Sequence, residues 1–106
     1  MAKINVVKLK NDAAKATNQQ NYSKAIDLLK QIVQENPRDA NTLNQIGFLY
    51  EKLKNNTAAN EQYAKVADFY AKDGFYLKAI ACWKKVLKND PALIDAHLNL
   101  GDLYAK

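Results

Sequence analysis

Only one cysteine, one histidine, one tryptophan, two prolines and three glycines occur in the 106 residues of the chain. Each scarcity excludes something. The single Cys82 cannot close an internal disulfide, and with His97 as its only companion it falls short of a structural zinc site. Few Gly and Pro beside plentiful Ala, Leu, Lys and Gln favour helix, and no alternating β-branched run of strand length stands against it. No apolar run reaches the roughly 18 residues of a bilayer-spanning helix. The N-terminal stretch MAKINVVKLKNDAAK has Lys3, Lys8 and Lys10 among its apolar residues, so it holds no signal-peptide core. No membrane span is expected, and a reducing cytoplasm is the expected home. Ser23 and His97 are each the only residue of their type, and there is no Gly-rich phosphate loop, so no catalytic residue, metal ligand or cofactor site emerges. A non-enzyme is expected, with His97 a packed, hydrogen-bonded imidazole and Cys82 a small buried filler beside Trp83.

What is present is repetition. With 48% apolar and 25% charged residues the chain has the balance of one soluble globular domain. YSKAIDLLKQIVQENP, from Tyr22, returns as YLKAIACWKKVLKNDP, from Tyr76. Ala25, Leu29, Ile32 and Pro37 correspond to Ala79, Trp83, Val86 and Pro91, so three apolar positions share one helical face and Pro follows the helix end. A second unit also recurs, TLNQIGFLYEK at 42–52 and AHLNLGDLYAK at 96–106. Leu43 or His97, Ile46 or Leu100, Gly47 or Gly101, and Tyr50 or Tyr104 again lie on one face. Gly inside a helix costs about 1 kcal/mol relative to Ala, so close approach of a partner helix is the expected reason for Gly47 and Gly101. Gly74 follows YAKD at a helix end, where a residue free to take positive φ terminates the helix.

These residues resemble the tetratricopeptide repeat (TPR), a 34-residue helix-turn-helix unit with a large apolar residue, Leu, Gly and Tyr on helix A and Ala, an aromatic and Pro on helix B. The resemblance runs over the whole chain and implies an all-α solenoid that recognises other proteins. Its first unit is the weakest match, with Asp12 where Leu is expected and Ala16 where Tyr is expected. One interval departs from the pattern. The small helix-A residues Ala13, Gly47, Ala67 and Gly101 are spaced 34, 20 and 34, so the middle interval has lost about one helix. Six antiparallel helices are expected, at about 3–19, 22–35, 39–53, 57–73, 76–89 and 92–106. The fourth would serve two repeats, with Tyr63 and Val66 in both patterns. The alternative is an ordinary helix B followed by an irregular connection. Repeats then cover 6–39, 40–73 and an overlapping 60–93, with 94–106 the first helix of an incomplete fourth.

The resemblance also implies a concave face lined by helix A. Transferred position by position, it comprises Val7, Lys10, Ala14 and Thr17, then Asn41, Asn44, Phe48 and Glu51. It continues with Glu61, Ala64, Asp68 and Ala71, then Asp95, Leu98, Asp102 and Ala105. Family members that grip acidic C-terminal peptides carry Lys, Arg and Asn at such positions. Here only Lys10, Asn41 and Asn44 suit, and Glu51, Glu61, Asp68, Asp95 and Asp102 have the opposite sign, so a carboxylate clamp is disfavoured. A basic or amphipathic peptide or helix is the better match, with Phe48 its apolar anchor unless Phe48 packs against the next helix.

The net charge of +5 raises nucleic-acid binding as another class. Lys24, Lys30, Lys78, Lys84, Lys85 and Lys88 lie on the two Pro-ended helices, so phosphate could meet only the convex side, and solvated lysine is the commoner explanation. The last helix, with Leu100, Leu103 and Tyr104, lacks a helix after it. Either more chain covers it, which is favoured, or a second copy does, making a weak homodimer instead of a monomer. The shortened spacing before GFYLKAI is similar to stretches in multi-repeat bacterial proteins, and a bacterial source is expected.

Overall fold

A computed structural model describes residues 4–106. Six helices follow one another: α1 (Val6–Asn18), α2 (Tyr22–Glu35), α3 (Ala40–Lys52), α4 (Asn56–Lys72), α5 (Tyr76–Asn89) and α6 (Ile94–Tyr104). No strand interrupts them among the described residues. The expected start of the first helix at residue 3 lies outside those residues. Four helices begin at a side chain that accepts from the third residue on: Asn5 from Lys8 N, Asn21 from Lys24 N, Asp39 from Thr42 N and Asn55 from Ala58 N. Each such bond satisfies one of the amide groups a helix N-terminus leaves orphaned. Phe75 and Leu93 hold the equivalent place before α5 and α6 and form no side-chain cap. The sixth helix starts two residues later than expected, because Pro91 and Ala92 lie in a turn closed by Leu93 N donating to Asp90 O at 3.2 Å.

Each helix packs on the one before it, giving a slab of 43 × 30 × 18 Å whose core is a row of clusters along the stack. Ala25, Ile26, Leu29 and Ile32 of α2 meet Ala13 and Ala16 of α1 and Ile46 and Leu49 of α3. Leu43 of α3, Val66 and Ala67 of α4, and Cys82 of α5 form the next cluster. Ala59 and Tyr63 then join Val86 of α5 and Ala96 of α6, and Ala79 and Ile80 close on Leu103. Small residues where helices cross let large ones interdigitate, which is why Ala25, Ala59, Ala67, Ala79 and Ala96 are all 0% exposed.

The turns explain the shortened spacing. Gln20, Lys54 and Gly74 adopt positive φ of 61°, 63° and 83°. At each, the following amide reaches back to the helix just ended: Asn21 N to Ala16 O, Asn55 N to Tyr50 O and Phe75 N to Tyr70 O, at 2.8, 2.9 and 2.8 Å. These are left-handed helix C-caps, and their positions stand 34 and 20 residues apart, the same intervals as the small residues. The turns after α2 and α5 are of another kind, with extended Asn36 and Asp90 as C-caps. Helix α4 is therefore both entered and left through the turn that elsewhere joins the first helix of a pair to the second. Both its flanks are covered. Tyr63 meets Gly47 and Glu51 of α3 and shares a cluster with Val86 of α5, while Val66 lies between Leu43 and Cys82. The central helix is shared, as its doubled pattern predicts.

The two helix glycines part company. A Cβ at Gly47 would stand 2.6 Å from Tyr63 Cε1, so close helix approach is the reason for it. At Gly101 nothing lies within 4 Å, which corrects the expectation of a close approach there. The same openness corrects the expectation for His97: it is exposed, and Nε2 meets Pro91 O at 2.9 Å. Both residues need a helix on the far side of α6 to be enclosed, as α4 encloses Leu43 and Gly47.

Candidate functional site

Helices α1 and α3 stand side by side with α2 behind them, and a groove of about 430 Å³ opens between them. Its lining includes Lys10, Ala14, Thr17, Asn44 and Phe48, five positions expected from the first two repeat units. Small residues on α1 make the groove. Ala13 and Ala14 lie opposite Phe48 and Leu49, and Thr17 turns its hydroxyl onto Ala13 O at 2.8 Å. Phe48 does not pack under the next helix: it is 49% exposed, and Lys52 Nζ stands 5.0 Å from its ring centroid. Asn44 is half-buried, and its Oδ1 is shielded from water without a hydrogen-bond partner.

A second cleft, of about 400 Å³, lies between α4, α5 and the turn into α6, and brings together Glu61, Ala64 and Asp95. Asn41, Glu51, Asp68 and Asp102 line neither cavity. Glu51 is occupied internally, accepting from Tyr63 Oη at 2.8 Å. Burial, and then that bond, push the Tyr63 hydroxyl well above the usual phenol range, so it stays protonated. Asp68 pairs with Lys72 at 3.0 Å along its own helix, while Asn41 and Asp102 are exposed. Val7 and Leu98 are 69% and 63% exposed.

Of the residues expected at an open C-terminal face, Leu103 is buried against Ala79 and Ile80 and Leu100 is half-buried beside it. Their i, i+3 spacing turns them towards α5, which corrects their assignment to a free surface. Tyr104 is 62% exposed, and Ile94 and Leu98 join it on the outside. Several lysines of the outer helices are engaged with rings of the chain itself. Lys30 Nζ stands 5.5 Å from the Tyr50 centroid, Lys78 5.5 and 5.2 Å from those of Tyr70 and Phe75, and Lys85 5.2 Å from that of Tyr63. Burial raises the Cys82 thiol, which keeps it protonated and a poor nucleophile. Among the described residues no group of three or more His, Cys, Asp or Glu could hold a metal ion, and no helix is long and apolar enough to cross a membrane.

Comparison with known proteins agrees with the architecture. Residues 67–106 match the family model for the TPR repeat. The fold is that of a TPR solenoid. The Sgt2 TPR domain from Aspergillus fumigatus is 18% identical with a TM-score of 0.53, over 94% of this chain and 77% of that one. A TPR protein from Parabacteroides merdae is 22% identical with a TM-score of 0.55, over 95% of this chain and 45% of its own. The first TPR of Spaghetti (RPAP3), bound to the HSP90 peptide SRMEEVD, is 18% identical with a TM-score of 0.52, over 94% and 90% of the two chains. No curated protein matches the sequence.

Lys10, Ala14, Thr17, Asn44 and Phe48 were expected on the concave face and line the first groove, whereas Trp83, Asp90 and Asn60 of the second cleft were not among the expected positions. Trp83 was legible only as the counterpart of the core residue Leu29. The larger ring at a position otherwise filled by Leu was the available signal.

Proposed function

We propose that the chain is a protein-interaction module that takes an extended peptide or a helix of a partner on the concave side of its TPR solenoid. In this reading the repeats cover 6–39, 40–73 and an overlapping 60–93, with 94–106 the first helix of another. The observation that carries it is the groove between α1 and α3, where the exposed Phe48 ring, Lys10 and the half-buried Asn44 line one cavity. Such a face is preformed, so binding orders little of the receptor. Phe48 is the apolar anchor, and Lys10, Asn41 and Asn44 contribute polar contacts.

The partner's charge follows from the rest of that face. Spaghetti's first TPR takes a peptide ending in Glu-Glu-Val-Asp. Here Glu61, Asp95 and Asp102 are exposed acids outside any ion pair among the described residues, which supports a basic or amphipathic partner. Fluorescence polarisation with two sets of labelled amphipathic peptides tests this, one set carrying Lys and Arg and the other Asp and Glu on the same apolar pattern. The basic set should bind more tightly, and Phe48→Ala should weaken it by about tenfold, as an anchor worth more than about 1 kcal/mol would. Preference for the acidic set, or indifference to Phe48→Ala, overturns the reading.

A further inference from the structure

The cleft between α4, α5 and the start of α6 differs in kind from the groove around Phe48. Its volume of about 400 Å³ falls in the range of about 300–1,000 Å³ typical of single-ligand pockets. Trp83 supplies one wall. The indole is half-buried and packs against three of the core clusters, so its place is set by the fold. Asn89 Nδ2 donates to Asn60 Oδ1 at 3.0 Å and ties α5 to α4 across the cleft. Glu61, Asp90 and Asp95 stand around the opening, all exposed.

Among the described residues none of these three carboxylates forms an ion pair, and the acids that do, Asp12, Asp68 and Asp73, lie elsewhere. The three come from different elements, α4, the end of α5 and α6, and line the same cleft as Trp83. Helix electrostatics accounts for only one of them. Asp95 sits in the first turn of α6, where the helix dipole favours an acid. Asp90 caps the C-terminus of α5, where the dipole disfavours one, and the equivalent cap of α2 is the neutral Asn36. Glu61 lies inside α4, away from either end.

The geometry points to a pocket for one cationic side chain, arginine or lysine, of a bound partner peptide. Its charged end meets Glu61, Asp90 and Asp95, and its stem lies along Trp83 and Leu93. A planar guanidinium stacks on an indole face and forks between carboxylates, so arginine suits the site better than lysine. The inference rests on the concave-face reading and adds a second anchor to it, beyond Phe48.

Trp83 is the only tryptophan, so its fluorescence reports directly on arrival of the cation. The whole chain is titrated with N-acetyl-arginine amide, and with N-acetyl-citrulline amide as the neutral isostere. Arginine should give a saturable change with a Kd on the order of millimolar, weakening as salt is raised. Citrulline should give none. Glu61→Gln combined with Asp95→Asn should weaken the arginine response about tenfold, with helicity checked by circular dichroism. Equal responses to arginine and citrulline, or an arginine response indifferent to the double substitution, overturn the pocket. Peptide binding that needs Phe48 but shows no arginine response removes this pocket alone. An arginine response without any peptide binding removes the groove reading and leaves the pocket standing.

Discussion

Adding one methyl group to each of two equivalent glycines should move stability in opposite directions. Gly47 and Gly101 occupy the same position of the recurring unit, and intrinsic helix propensity favours Ala over Gly by about 1 kcal/mol at both. At Gly47 the new Cβ would stand 2.6, 3.0 and 3.1 Å from Cε1, Cζ and Cδ1 of Tyr63. That ring cannot move aside cheaply, since it is 2% exposed and its hydroxyl is held by Glu51 at 2.8 Å. Overpacking costs about 1–3 kcal/mol, and a displaced ring risks a hydrogen bond worth about 0.5–1.5 kcal/mol. Set against the propensity gain, Gly47→Ala should destabilise by about 1–2 kcal/mol. Gly101→Ala meets nothing within 4 Å and should stabilise by about 0.5–1 kcal/mol. Urea unfolding followed by circular dichroism measures both, and in heat the variants should separate by several degrees at about 4 °C or more per kcal/mol. In a Tyr63→Leu background the clash is gone, and Gly47→Ala should become stabilising by about 1 kcal/mol. If Gly47→Ala stabilises the wild-type chain as Gly101→Ala does, the close packing of α4 on α3 is refuted.

Two further outcomes follow from the same contacts. Because burial and the Glu51 bond raise the Tyr63 pKa in the folded state, the folded chain holds a proton that the unfolded chain releases near pH 10. This contribution is complete below about pH 10 and is lost as pH rises above it. Tyr63→Phe should flatten the fall in urea midpoint between about pH 9 and about pH 11, and an unchanged slope would contradict the assignment. Removing the cap of α3 by Asp39→Ala frees Thr42 N, now bonded at 3.1 Å, and should lower unfolding free energy by about 1 kcal/mol; a change of only a few tenths would show the cap to be idle.

Helix number, helix order and the shared fourth helix were legible in the chain because they are written in local periodicity. Two apolar patterns superposed on Tyr63 and Val66, and a 20-residue interval between small residues, require no knowledge of neighbours. Only Gly74, however, announced the left-handed turns. Gln20 and Lys54 take the same conformation without glycine, because the bonds from Asn21 to Ala16 and from Asn55 to Tyr50 stabilise it. The groove at Lys10, Asn44 and Phe48 was readable from the TPR resemblance, since recurrent helix positions face one side.

Equivalent sequence positions do not have equivalent surroundings, and that difference belongs to tertiary structure alone. Gly47 is pressed by Tyr63 and Gly101 is open; Leu43 is buried and His97 exposed; Tyr50 is half-buried and Tyr104 exposed. A side chain's direction follows from helical spacing, whereas its burial depends on whether another helix lies in that direction. The cleft around Trp83 has the same origin. Glu61, Asp90 and Asp95 are distributed over 35 residues of chain, and only the stacking of α4, α5 and the turn into α6 makes them line one cleft with Trp83.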